Sequence, residues 1–510
     1  MPGLPSTRHV FLGLASLCGG AAVYTTESNR RQRLKQRPYH LSLDKFDFVP
    51  WTLRYKQAVS STNSIFTLEP LHKKAEEPSS LIHDQSCSNP YDELWRNGTW
   101  SVTIKQPQLQ VAREYTPLPP FPPPFFVPVL EREKELVEET KNDTGTGERL
   151  RTPGDRANDL RFLIRKDGET SAYIHRRPVG QGDDSSIEVR GPDRALQRYG
   201  IGSGDVEEIV FLAGGTGVVP AMQLAHGLLA RKEAAYGERI YSWLHAHANG
   251  VSTSREKHSM PHADDHYASI PTDGNDTRIS ILWANRNREE CQGGQSDSSL
   301  LLSQKEGSAS SSWKSWFFAP STGQSASPKP DSTTTSVEPN STNTSTTNPI
   351  VLHLNALRRS FALVSALQAA QSISSPPTSN SPNDPSAPPI HVSAAKTLGT
   401  ASNNPSQPGP RFELAYFVDS EGTFISKTQL RDVLSRPPLP QQPVDQQREE
   451  VGERNQKKKL IVVSGPDGFV EHFAGPREVV GNRVVQGRVG GVLGELGREG
   501  NLVGWEIVKL

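Results

Sequence analysis

Hydrophobic and polar positions follow two different rhythms along this chain. Up to about residue 190 the apolar residues fall in short runs: Trp51–Tyr55, Ser64–Leu68, Trp100–Ile104, Leu160–Ile164 and Ile187–Arg190. These runs are rich in aromatic and β-branched residues and are separated by turns and polar loops, the pattern of an antiparallel barrel. Near Val206 the rhythm changes. Ile209-Val210-Phe211-Leu212-Ala213 is a continuous apolar run, as a strand buried on both faces requires. Met222, Leu224, Ala225, Leu228 and Leu229 follow at helical spacing. Further runs at Ile279–Ala284, Glu413–Val418 and Leu460–Val463, with a helical stretch over Val351–Leu367, predict strands alternating with helices and therefore a parallel α/β sheet.

Other stretches interrupt both rhythms. Seven prolines between Pro117 and Pro128 impose extended backbone, and a charged insert follows to about Asn158. In the second half, residues 247–276, 293–348 and 372–411 are dense in small polar residues or proline and are expected to be disordered, since they bury too little apolar surface to offset the entropy of ordering. At the start, His9–Tyr24 is apolar, Arg8 precedes it, and Arg30-Arg31-Gln32-Arg33-Leu34-Lys35 follows. No acidic residue appears before Glu27. The run is slightly short for a bilayer span, and no basic residue opens Met1–Thr7 as a secretory signal would require. A mitochondrial targeting segment combined with a transmembrane anchor is expected over 1–36, an antiparallel β-domain over 37–203, and a Rossmann-like α/β domain over 204–510.

Composition supports folded domains with insertions: 34% of the 510 residues are hydrophobic, and there are 41 Gly and 41 Pro. Lys plus Arg equals Asp plus Glu at 56 each, so no overall charge favours nucleic acid, and none is expected as a partner. Cys18, Cys87 and Cys291 lie too far apart for the paired spacings of zinc or iron-sulfur sites, and no metal is expected.

The candidate chemistry begins at Arg113-Glu114-Tyr115-Thr116-Pro117, where an Arg near a strand end can pair with a diphosphate and a Tyr two residues on shares its side of the chain. Any exposed strand end can carry such a triplet. About fifty residues later, after Ile164, Gly168-Glu169-Thr170-Ser171 combines a tight turn with the start of a helix whose free amides attract an anion. Gly191-Pro192 and Tyr199-Gly200 follow. Gly214-Gly215-Thr216-Gly217 joins a buried strand to a helix; such a loop either serves as a plain turn or lets a nucleotide pyrophosphate approach the backbone. Ala284-Asn285-Arg286-Asn287-Arg288 ends the next strand and sets two arginines beside it.

In this order the motifs resemble the ferredoxin-reductase superfamily, and within it the cytochrome b5 reductase branch. The resemblance implies FAD and a nicotinamide nucleotide as cofactors. Arg113 would bind the FAD diphosphate, and Ile164, Gly168, Glu169, Thr170 and Ser171 would complete its cradle. Tyr115 would stack on the isoalloxazine and Thr116 would hydrogen-bond near its reactive nitrogen, which makes these two the catalytic candidates. Gly214, Gly215, Thr216, Gly217, Gly465 and Pro466 would hold NADH or NADPH. Ser464 stands where the family usually has Cys, which implies slower or altered nicotinamide use. The N-terminal run, Tyr39-His40-Leu41-Ser42, Ser60–Phe66 and the ending Gly490–Leu510 also resemble fungal mitochondrial flavoproteins that assist haem attachment to cytochrome c. That implies haem or a haem protein as electron acceptor and an inner-membrane site facing the intermembrane space. A general cytochrome b5 reductase and a non-enzymatic assembly factor are the alternatives.

Overall fold

The architecture is given by a computed structural model that describes residues 43–71, 91–125, 159–180, 183–193, 206–248, 277–301, 347–374, 410–437, 458–481 and 483–510. The first half runs β1 (Val49–Ala58), β2 (Asn63–Pro70), α1 (Asp92–Arg96), β3 (Ser101–Gln106), β4 (Val111–Tyr115), β5 (Pro117–Leu118), β6 (Leu160–Arg165), α2 (Glu169–Arg176) and β7 (Ser186–Asp193). The second runs β8 (Val206–Gly214), α3 (Val218–Ala248), β9 (Arg278–Asn285), α4 (Pro349–Ser374), β10 (Arg411–Val418), α5 (Lys427–Leu434) and β11 (Lys458–Ser464). It ends with α6 (Asp467–Ala474), the hairpin β12 (Glu478–Val480) and β13 (Arg483–Val485), α7 (Gly491–Arg498) and β14 (Trp505–Lys509).

The first half forms a seven-stranded sheet in the order β4-β3-β7-β1-β2-β6-β5, with every pairing antiparallel. Its two edges, β4 and β5, are joined through Thr116 alone. A flat sheet would hold those edges about 29 Å apart at about 4.8 Å per strand, and one residue reaches only about 3.5 Å. The sheet must therefore curl until its edges meet. The expected barrel is nevertheless not closed by hydrogen bonds: among the described residues no ladder joins β4 to β5. One linking residue is too short for a hairpin turn, and Pro117 has no N–H to donate. Trp51, Phe66, Trp100, Val102, Phe162 and Ile187 fill the interior of the curl.

The second half forms a five-stranded sheet, β10-β9-β8-β11-β14, with every pairing parallel. Alternate residues of each central strand enter different cores. On β8, Ile209, Phe211 and Ala213 face the core shared with α3 and α4, whereas Val210 and Leu212 face the core shared with α5, α6 and α7. The same alternation splits Leu460 and Val462 from Ile461 and Val463 on β11. Ser426 and Gln429 cap α5 reciprocally. The Gly-rich ending forms the fifth strand, and buried Lys509 ties it down by donating to the carbonyls of Pro476 and Arg488, both at 2.8 Å.

The antiparallel sheet is packed on the first of these cores: Ile65, Leu118, Phe125 and Leu163 bury against residues of β8 and α3. Of the segments expected to be disordered, Gly293–Leu301 is described and packs at the sheet, where Asp297 accepts from the backbone N–H of Leu414 at 2.8 Å and pairs with Arg358. Most of the remainder, and the apolar run His9–Tyr24, lie outside the described residues. Among the described residues no helix is long and apolar enough to cross a membrane.

Candidate functional site

At the seam of the antiparallel sheet, Arg113 lies opposite Ile104 and Tyr115 opposite Val102. Arg113 is exposed, and among the described residues no hydrogen bond or ion pair engages its guanidinium. Tyr115 and Thr116 are half-buried. Burial pushes the Tyr115 phenol up to about 12, with Arg113 pulling the other way, so the hydroxyl stays protonated at neutral pH. The adjoining Glu114 carboxyl is also raised, by burial and then by Asp193, while Arg477 and Arg190 oppose.

Helix α2, which begins just after Gly168, packs against β3 and against β4, the strand that carries Arg113. Gly168 caps α2 at φ 84°, a conformation open to glycine at little strain, and a β-carbon there would meet nothing within 4 Å. No side chain caps the helix, so its first-turn amides keep their capacity for an anion. The Ser171 hydroxyl is already used: it donates to Asp167 O at 2.6 Å and accepts from Asp167 N–H at 2.9 Å. Ser171 thus shapes the loop and offers only its backbone. Thr170 and Ile164 are buried, Glu169 is exposed, and the Ile164 carbonyl meets His175 Nε2 at 3.1 Å. An exposed arginine on β4, unengaged among the described residues, and the uncapped start of a helix that packs on the same strand are groups suited to a diphosphate.

The parallel sheet reverses its strand order between β8 and β11, and ligands of open α/β sheets bind at such a point, beyond the carboxyl ends of the strands. Gly214–Gly217 leaves β8 there and Gly465-Pro466 leaves β11. The two loops are packed into each other. A β-carbon on Gly214 would sit 2.8 Å from the Phe469 ring, one on Gly465 3.1 Å from Gly214, and one on Gly217 would overlap the Ser464 backbone. These glycines serve close approach of backbone to backbone. Ser464 is buried at the end of β11, and Thr216 is half-buried in the turn of 3-10 helix that precedes α3.

A pocket opens over this junction, lined by Gly214, Gly215 and Pro466 from the anticipated set and by Arg165, Ala284, Asn285, Arg286, Asp419 and Phe469. Asn285 is 3% exposed, and its Oδ1 has no hydrogen-bond partner among the described residues, an acceptor facing a lining that a ligand donor would satisfy. Asp419 is raised to about 6, chiefly by burial and by Glu290, with Arg286 and Arg165 opposing. Arg165 and Asp419 escaped the sequence reading. Each lies at the carboxyl end of an apolar strand run, and Asp419 follows Val418, which pairs with Asn285. That shared edge is the signal that points to it.

The two sheets are bolted together beside these sites. Gln223 of α3 accepts from Trp100 N–H at 2.9 Å and donates to the carbonyl of Pro117 at 2.8 Å, so a fully buried amide ties α3 to the start of β3 and to the edge strand β5. Arg165 pairs with Glu290, and Ser61 and Thr62 donate to Glu289 and Glu290.

A curled antiparallel sheet followed by a parallel α/β sheet, with glycine loops at the switch point, is the order of sheets that the motif resemblance to ferredoxin reductases leads one to expect. No protein-family model matches this chain. Two fungal proteins do. The cytochrome c mitochondrial import factor CYC2 of Saccharomyces cerevisiae is 29% identical over 148 residues, 28% of this chain and 31% of that protein. An uncharacterized FAD-binding protein of Schizosaccharomyces pombe is 26% identical over 229 residues, 44% of this chain and 61% of that protein. The matches therefore span less than two thirds of either relative. Among solved structures, the cytochrome b5 reductase domain of Ulva prolifera nitrate reductase superposes with a TM-score of 0.23 at 15% identity, covering 49% of this chain and 66% of that one. Flavohemoglobin from Malassezia yamatoensis gives 0.24 at 12%, covering 48% and 40%. Similarity this distant carries no further argument.

Proposed function

We propose that the chain is an FAD-dependent oxidoreductase that draws electrons from NADH or NADPH and delivers them singly to haem or a haem protein. The observation that carries this reading is the pairing of two prepared sites on two sheets that pack together: the Arg113–Thr116 seam with the uncapped start of α2, and the switch-point pocket. Bound FAD would supply the exchange of an electron pair for single electrons. Arg113 and the first amides of α2 hold its diphosphate, Tyr115 and Thr116 flank its ring, and the pocket of Gly214, Gly215, Asn285 and Pro466 orients the nucleotide. Asp419, charged at neutral pH, accepts from a ribose 2′-hydroxyl and repels a 2′-phosphate, which favours NADH.

Sequence similarity to an FAD-binding protein and to a factor named for mitochondrial cytochrome c import supports the flavin and a mitochondrial location with a cytochrome-linked acceptor. The N-terminal apolar run supplies the targeting and anchoring part of the reading, with the folded domains toward the intermembrane space. The purified protein is expected to be yellow and to bleach anaerobically with NADH; a colourless protein ends the proposal. Flavin that no nicotinamide reduces identifies an assembly factor instead. Relative rates with ferric haem, cytochrome c and cytochrome b5 distinguish haem reduction from a general cytochrome b5 reductase.

A further inference from the structure

Arg165 belongs to the antiparallel sheet, at the end of β6, yet it lines the pocket of the parallel one. Its Nη1 lies 3.6 Å from the point a β-carbon on Gly215 would occupy, and its Nη2 lies 3.8 Å from Glu290 Oε1. The Glu290 side chain is 1% exposed and that of Arg165 12%, so the attraction acts largely out of water. The separation is nevertheless beyond hydrogen-bond length. Glu290 does not depend on the pair: Thr62 Oγ1 donates to its Oε1 and the backbone N–H of Arg286 to its Oε2, each at 3.2 Å. Asp419 and Arg286 complete the charges around the pocket, so Arg165 and Arg286 face Glu290 and Asp419.

We infer that Glu290 is a built-in competitor for Arg165, holding its guanidinium until the pyrophosphate of a nucleoside diphosphate takes it over. The inference rests on the nucleotide reading of the pocket. A phosphate offers the planar guanidinium two parallel charge-assisted hydrogen bonds, where Glu290 offers Coulomb attraction alone. When Arg165 turns to the ligand, Glu290 keeps its bonds to Thr62 and Arg286 and is not stranded. Glu290 is thus a positioning residue that lowers nucleotide affinity. It lies in the Arg288–Cys291 turn that also grips Ser61 and Thr62, so the sheet-to-sheet contact and the nucleotide draw on the same carboxylate.

The opposite signs of two substitutions test this. The flavin-loaded full chain is titrated calorimetrically with ADP-ribose, which carries the pyrophosphate but no nicotinamide. Arg165→Ala is expected to weaken binding about tenfold, the loss of one charge-assisted partner. Glu290→Gln, which retains an acceptor for Thr62, is expected to tighten binding, and Arg165→Ala with Glu290→Gln together should match Arg165→Ala alone. Thr62→Val, which leaves Glu290 leaning harder on Arg165, should weaken binding and keeps the test open if Glu290→Gln loses its flavin. Weaker or unchanged binding in a flavin-loaded Glu290→Gln, or unchanged binding in Thr62→Val, overturns the inference. A parent protein that binds flavin but no ADP-ribose overturns the nucleotide reading itself.

Discussion

Gly168 precedes helix α2 in the antiparallel half, and Gly217 precedes helix α3 in the parallel half; the first opens and the second closes a motif that resembles a phosphate cradle. Gly168 sits at φ 84° with open space where a side chain would be, so its requirement is conformational. Gly217 has an ordinary φ, but its missing side chain is where the Ser464 backbone passes. The contrast extends to the surroundings. On the strand against which the following helix packs, Arg113 is exposed and unengaged among the described residues, whereas the pocket by Gly217 is filled with its own compensated charges, Arg165 with Glu290 and Arg286 with Asp419. One half presents free groups to a ligand; the other must have internal contacts exchanged before a ligand is held.

The largest effect expected from this contrast is on stability. Gly217→Ala forces a methyl into fixed backbone and should cost about 3 kcal/mol or more, or prevent folding. Gly168→Ala has room, but φ 84° with ψ 174° is a region held almost only by glycine, and the strain should cost about 1 to 3 kcal/mol. Urea denaturation of both variants checks the pair, and equal losses would erase the distinction between the two loops.

Arg113→Ala comes next and should act on ligand alone. Its exposed side chain engages nothing among the described residues, so stability of the flavin-free protein should move by less than about 0.5 kcal/mol. FAD affinity should fall about tenfold, read as flavin absorbance per protein after dialysis. Unchanged occupancy would place the diphosphate elsewhere.

The sequence made the two-sheet build legible because its rhythm is local: short aromatic and β-branched runs between turns to Arg190, then continuous runs from Ile209 that the structure divides between two cores. The motif glycines were legible as positions but not as reasons, since the clash of Gly217 with Ser464 joins residues nearly 250 apart in the chain. Arg165 and Asp419 were missed for the same cause. Each belongs to a strand end that only the sheet order brings to the pocket. The openness of the curled sheet at Thr116 and the pairing of the Gly-rich ending as β14 likewise depend on tertiary neighbours, not on a local pattern.

The smallest and most specific effect is expected at Asp419, whose carboxyl is raised from the ordinary 3.8 to about 6. Above that value it carries the charge that disfavours a 2′-phosphate, so Asp419→Ser should raise the NADPH-to-NADH ratio of kcat/KM several-fold, about tenfold at most. In the parent the ratio should climb as pH falls through about 6 and the carboxylate takes a proton. The 2′-phosphate titrates in the same range, so the variant's own profile supplies the baseline and the difference between the two isolates Asp419. Stability follows the same group. Because the folded protein holds this proton more tightly than the unfolded chain, the contribution is full below 3.8 and is lost as pH rises through about 6. The Tm of Asp419→Ser relative to the parent should therefore rise across that window. A parallel pair of Tm profiles, with a cofactor ratio that responds to the substitution, would mean that Asp419 reads the ribose without its titration being displaced by burial.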